Sequence, residues 1–173
     1  VYSREEYVNP IPTTDLIIEY SDGKKEGIIL ITRKNYPYGI AIPGGFAEHG
    51  LSLEDNARKE AKEETNLDIV LYYPERPFCV HSNPNRDPRD HMIGIVFVAR
   101  GYGKLQAGDD AAGASVYTRE EIRNLLGKNK IAFDHERALE KYLEKYDRIL
   151  ASFPRSFKNE SEKVEYLKKR WSE

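Results

Sequence analysis

Three glutamates pose the chemical question in this chain. Glu60, Glu63 and Glu64 stand at i, i+3 and i+4, so a helix would carry their carboxylates on one face. Like charges placed that way cost about 0.2–0.5 kcal/mol per pair unless a cation sits between them. Hard divalent cations are bound through carboxylate oxygens, waters and substrate phosphates. Taken alone, the glutamates leave a plain solvated helix face as the commoner explanation.

The stretch around them, PGGFAEHGLSLEDNARKEAKEETNL from Pro43 to Leu67, supplies the means of positioning. A Pro43-Gly44-Gly45 turn, with Gly50 beyond it, runs into a helix. Ser52 followed by Asp55 has the spacing of a capping box. No proline or glycine follows as far as Thr65, and most residues there are good helix formers.

The remaining elements must hold that turn and helix. An N-terminal arm with Pro10 and Pro12 leads to a strand at Thr13 to Tyr20. A turn at Ser21 to Lys24 and a second strand at Gly27 to Arg33 complete a hairpin. The loop from Lys34 to Gly39 holds Tyr36 and Tyr38 beside Pro37, suited either to stacking a base or to packing the loop. After the helix, strands are expected at Asp68 to Tyr73, Phe78 to His81 and Met92 to Arg100. Between the last two, His81 to His91 is too rich in proline and polar residues for a regular element. It carries Arg86 and Arg89, which suit bidentate recognition of phosphate or carboxylate if the loop is more than a solvated connection.

Asp109 and Asp110 follow in a turn, and a short strand is expected at Ser115 to Thr118. Thr118 and Glu121 have capping-box spacing at the start of the next helix. Another helix begins at Phe133-Asp134-His135, with Asp134 as a cap or early acidic residue, and runs to about Leu150. Its apolar residues recur at helical spacing, so it packs on the sheet. Beyond Pro154, Asn159 to Trp171 reads as a charged helix with Val164, Leu167 and Trp171 on one side, an appendage or dimer contact. Strands interspersed with helices predict an α/β fold with a mixed sheet covered on both faces.

At 173 residues the chain fits one domain, residues 1–150 with the arm, extended by a C-terminal helical segment at 151–173. A hydrophobic content of 39% and a formal charge of −2 indicate a globular protein and give no basic excess for nucleic acid. No apolar run approaches the ~18 residues of a membrane span, and no basic-then-apolar leader opens the chain. Cytoplasm is the expected compartment. Cys79, the one cysteine, is expected to act as a small buried hydrophobe.

Turn and helix together resemble the signature of the Nudix hydrolases: G, five residues, E, seven residues, R-E, an aliphatic residue, any residue, E-E, any residue, G, an aliphatic residue. Gly45, Glu60, Glu63, Glu64 and Leu67 match, with Ala61 at the first aliphatic position. Leu51 replaces the first glutamate, Lys59 the arginine and Asn66 the second glycine. Asparagine readily takes the left-handed conformation of a helix C-cap. Lysine keeps the arginine's charge but loses its planar fork. The loop residues Ser82, Pro84, Arg86, Asp87, Pro88, Arg89 and His91 are similar to a pattern of the ADP-ribose pyrophosphatase group, as is the Phe-Asp-His helix start.

The resemblance covers roughly residues 13 to 150 and implies a Nudix-type α/β/α sandwich. It implies metal-dependent hydrolysis of ADP-ribose or a related nucleoside diphosphate sugar, giving a nucleoside monophosphate and a sugar phosphate. Mg²⁺, or Mn²⁺, is the implied cofactor. Glu60 and Glu64 would be its principal ligands, Glu63 would serve a second metal or the activating water, and the Gly44 carbonyl would complete the shell. Asp110, with Asp109 behind it, is the candidate for a further acidic ligand. The general base stays open among Glu63, Glu64 and the Asp109–Asp110 loop. Arg86 and Arg89 would grip the diphosphate or distal ribose, with Arg33, Tyr38 and Gly45 also on the substrate. A homodimer is implied as well. The alternatives are an ADP-ribose-sensing Nudix domain without turnover, or hydrolysis of another nucleotide such as NADH, a dinucleoside polyphosphate or an NTP.

Overall fold

The structure is a computed structural model that describes residues 8–108, 111–154 and 156–173. Eight strands form one mixed sheet. Strand β1 (Ile11–Ser21) lies parallel to β7 (Met92–Tyr102) along most of its length, from Ile11 opposite Met92 to Glu19 opposite Arg100. On its other edge β1 is shared. Its end pairs antiparallel with β2 (Glu26–Arg33), the expected hairpin, and its start pairs with β4 (Gly44–Phe46). Strand β2 also pairs with β3 (Ile40–Ala41) and β8 (Ala111–Tyr117), while β7 pairs with β5 (Asp68–Leu71) and β6 (Cys79–His81).

Alternation along the strands splits the apolar residues into two cores. Leu16, Ile18, Ile29 and Phe97 face helix α1 (Leu53–Thr65), which contributes Ala57 and Ala61. Ile17, Ile28, Leu30, Val96 and Val98 form the other core with Ile122 of α2 (Arg119–Leu125) and with α3 (His135–Ala151). The last helix, α4 (Glu160–Ser172), is more than an appendage: Val164, Leu167 and Trp171 are buried in that same core. Trp171 stacks on Tyr72 and Tyr142, and the Lys145 ammonium bonds the Trp171 carbonyl at 2.9 Å. Among the described residues no helix is long and apolar enough to cross a membrane.

Local signals explain the ends of α1. Ser52 Oγ accepts from the Asp55 amide at 3.1 Å, and Asn66 closes the helix at φ 60° with its amide on the Lys62 carbonyl. The substituted signature position therefore performs the left-handed cap that glycine would. The Thr118–Glu121 capping box on α2 forms in full. Asp134 behaves otherwise than as a cap: it stands before α3 without a capping hydrogen bond, because its carboxylate is taken by two other partners. Cys79 is half-buried, and burial pushes its thiol up to about 11, so it is an inert apolar group at neutral pH.

Candidate active site

The split edge of β1 brings the glycine turn, helix α1 and the arginine loop to one pocket of about 430 Å³. Strand β4 is too short to hold itself. It is fixed by pairing Gly44 with Asp15 and Gly45 with Thr14, and by the Leu16 amide on the Pro43 carbonyl at 2.8 Å. Gly45 is required for space: a Cβ there would lie 2.5 Å from a Glu60 carboxylate oxygen. The obstacle is the movable end of a side chain, so Gly45→Ala is expected to fold with a melting temperature within a few degrees of wild type. It should lower kcat by about 10²-fold, because a misplacement of ~1 Å at reacting groups costs that much; a kcat measurement beside a thermal melt checks this.

All three signature glutamates line the pocket, in unequal roles. Glu64 accepts from the Gly44 amide at 2.8 Å, and burial followed by the charge of Glu60 raises its pKa to about 7. Glu60 is also raised, by burial and then by Glu63 and Glu48, against the opposing pull of Lys59. Glu63 is exposed and accepts from Lys59 Nζ at 2.6 Å. Lys59 also reaches Glu48 at 3.0 Å, and these two bonds raise its own pKa. The lysine thus ties the loop to the helix face with two single contacts in place of an arginine fork.

Among the described residues, no three His, Cys, Asp or Glu side chains converge into a ready metal cage. The donor set still fits a hard divalent cation. Mg²⁺ is ordinarily held by one or two carboxylates together with substrate phosphates and water, and burial, followed by neighbouring carboxylate charge, already lifts Glu60 and Glu64. Asp109 and Asp110 lie outside the described residues.

The substrate-side residues divide. Arg86 is buried, with 4% of its side chain exposed, and its Nε and Nη2 both donate to Asp134 at 2.9 and 2.6 Å. Gly94 on β7 leaves room for that guanidinium, since a Cβ there would lie 2.7 Å from Arg86 Nη2. Asp134 also contacts His81 at 3.0 Å. Against the upward push of burial, His81 and Arg86 hold the Asp134 carboxyl well below the usual range. Arg89 is more accessible and is oriented by Asp87 through Nε and Nη2. Its guanidinium lies 5.1 Å from the Phe133 ring centre and 5.6 Å from that of Phe46. Arg33, anchored by the Pro37 carbonyl, lies 4.8 Å from the same Phe133 ring. Phe133 itself adopts φ 56°, a left-handed backbone that costs a bulky residue about 1–3 kcal/mol. Tyr38 is 71% exposed and does not line the pocket; Tyr36 does, packed edge-on against Tyr38.

Two acidic pocket residues, Asp15 and Glu48, were not singled out by motif, and Phe133 entered only as the start of the Phe-Asp-His helix. Asp15 is buried, accepts from Thr13, and has its pKa raised to about 6 by burial despite the attraction of Arg86. The polar run Thr13-Thr14-Asp15 just ahead of the apolar Leu16-Ile17-Ile18 in a buried strand was its signal. His135 is buried beside it, 3.7 Å from Asp15, with Nδ1 accepting from the Ile42 amide. Burial and then Arg86 bring the His135 pKa down to about 3, so the ring is neutral at physiological pH.

The NUDIX domain description matches residues 11–142. The chain belongs to the Nudix family. Among relatives, it is 41% identical over 140 residues to an ADP-ribose pyrophosphatase of Methanocaldococcus jannaschii, covering 79% of this chain and 75% of that protein. It is 32% identical over 102 residues to the ADPR responsive transcriptional repressor NtrR of Acinetobacter baylyi, covering 57% of this chain but 40% of the repressor. A MutT/nudix family protein from Enterococcus faecalis superposes with a TM-score of 0.67 at 27% identity, covering 87% of this chain and 66% of that one.

Proposed function

We propose that this Nudix pyrophosphatase hydrolyses the diphosphate of ADP-ribose or a related nucleoside diphosphate sugar, releasing a nucleoside monophosphate and a sugar phosphate. The observation that carries the reading is the shared pocket: Glu60 and Glu64 of α1 line the same cavity as Arg33 and Arg89. Such a pocket offers cation-binding and anion-binding groups together, as a metal-bound diphosphate requires. The named activity of the Methanocaldococcus relative supports the choice of substrate.

Glu60, Glu64 and the Gly44 carbonyl would hold Mg²⁺ or Mn²⁺, with Glu63 available to a second ion or to water. A cation bound there would neutralise the diphosphate and lower the pKa of the attacking water. The chain's own part is positional. Gly44 and Lys59 set the glutamates, Arg89 and Arg33 receive phosphate or ribose oxygens, and Arg86 keeps the loop in place through Asp134. The pocket would exclude bulk water from the reacting phosphorus once filled.

Glu64 supplies a test that does not depend on turnover. With its folded pKa near 7 against an ordinary value of 4.5, the folded protein keeps a proton that the unfolded chain has lost between those pH values. Its contribution to stability is therefore full below about pH 4.5 and is lost as pH rises through 7. A cation that binds the ionised form should offset that loss. The rise in melting temperature on adding Mg²⁺ is thus expected to be larger at pH 8 than at pH 5, as read by differential scanning calorimetry.

A panel of ADP-ribose, other nucleoside diphosphate sugars, NADH, a dinucleoside polyphosphate and an NTP, each with Mg²⁺, tests the substrate class. Hydrolysis confined to the last three would overturn it. The repressor-like alternative rests on Lys59 and Leu51 and on the Acinetobacter relative. It predicts tight ADP-ribose binding with no products.

A further inference from the structure

Two cations meeting on one aromatic ring is an arrangement the signature does not explain. The Arg33 and Arg89 guanidiniums lie 4.8 and 5.1 Å from the centre of the Phe133 ring. They come from distant parts of the chain, the end of β2 and the loop before β7, and Phe133 comes from a third, just ahead of α3. Bringing like charges together is unfavourable, and Arg89 acts with burial to lower the pKa of Arg33. Each guanidinium is nevertheless held: Arg89 by the two oxygens of Asp87, Arg33 by the Pro37 carbonyl on its Nε. The terminal nitrogens of Arg33 have no hydrogen bond among the described residues. Phe133 accepts a left-handed backbone to present the ring, and unfavourable backbone conformations of this kind persist where surrounding structure or function demands them. Its packing is modest, against the small cluster of Ile31, Ala41 and Ala132, and the ring stays only half-buried.

We propose that Phe133 is a positioning residue that holds Arg33 and Arg89 together as one anion receptor, which takes the phosphate oxygens of the diphosphate substrate. The ring face spaces and orients the two cations by cation–π contact. An anion between them relieves their mutual repulsion, so the receptor is strained when empty and satisfied when filled. This rests on the reading of the pocket as a diphosphate site. It adds that affinity depends on an apolar side chain that never contacts the metal.

Two measurements test it. Phe133→Leu keeps apolar volume but removes the π face. It is expected to raise KM about tenfold with kcat within about twofold. Phe133→Tyr keeps the face and should hold KM within about twofold of wild type. Titration of the metal-free protein with inorganic pyrophosphate by calorimetry reads the receptor without turnover, and Phe133→Leu should weaken that binding about tenfold. Phe133→Gly relaxes the left-handed backbone and should weaken pyrophosphate binding equally, which covers the case in which the leucine variant does not fold. Absence of pyrophosphate binding by the wild-type protein, or equal affinity in wild type and the folded variants, would overturn the proposal. Failure of the wild-type protein to hydrolyse ADP-ribose would instead count against the substrate reading, and the pyrophosphate titration would still decide the receptor.

Discussion

Glu64→Gln is expected to lower kcat for the nucleoside diphosphate sugar by about 10²–10⁴-fold, the range associated with loss of a proton-transfer group, while raising the melting temperature of the metal-free protein. Both effects come from the same feature. The carboxylate is largely withdrawn from water and crowded by Glu60, which is why its pKa sits near 7. Glutamine keeps an oxygen to accept from the Gly44 amide, so the hydrogen bond that fixes the turn survives. It removes a charge the fold does not favour, and it removes a ligand and candidate base. Loss of activity joined to a gain in stability marks a group retained for chemistry at a cost to the fold. Loss of both together would assign Glu64 a structural role. Steady-state kinetics and a thermal melt on the same preparation distinguish the two.

Arg86→Ala should act in the opposite sense, chiefly on stability. Its guanidinium is buried against Asp134 and is the principal attraction offsetting the burial of Asp15. Removing it leaves the partly buried Asp134 with His81 alone and deprives the buried Asp15 of its neighbouring cation. Breaking a buried pair on one side costs about 3–5 kcal/mol. For a chain of this size that is a fall in melting temperature of about 10 °C, measurable by calorimetry at pH 7. Activity should fall too, because the loop that carries Arg89 is held by the same contacts. Arg86→Lys should recover part of the stability but not all, since one ammonium cannot reproduce the two donations to Asp134.

The contrast shows what could be read from sequence. The glutamate face of α1, the left-handed cap at Asn66, the β1–β2 hairpin and the capping box on α2 are local, so spacing and residue type reveal them. The arginine loop was visible as an oddity of composition, and both arginines reach the pocket. Their division of labour was not visible. Whether Arg86 is buried on Asp134 while Arg89 stays accessible depends on β7 passing beneath with Gly94, a long-range matter. Asp134 looked like a helix cap because capping is the commonest local use of an aspartate in that position; tertiary partners outcompeted it. Strands β3 and β4 are too short to carry a period, and they exist because β1 and β2 pair with them. Asp15 faces the pocket through strand alternation that a single sequence leaves ambiguous by one register. Tyr36 and Tyr38 lie in an irregular loop that carries no period, and the pocket takes the former.

Lys59 answers part of the question raised by the altered signature. It bonds both Glu48 and Glu63, so its positive charge remains where it can orient the acidic face. Leu51 is exposed and closes the turn before α1 with its amide on the Glu48 carbonyl, and nothing in the structure gives it a role in the pocket.

The most direct measurement is product analysis of ADP-ribose incubated with the purified chain and Mg²⁺, with the nucleotide resolved by chromatography and the sugar phosphate assayed enzymatically. Equal amounts of AMP and ribose 5-phosphate, formed with multiple turnovers and abolished by chelation of the metal, are the expected result. ADP-ribose bound tightly but recovered intact would contradict the account and identify the pocket as a receptor for the nucleotide.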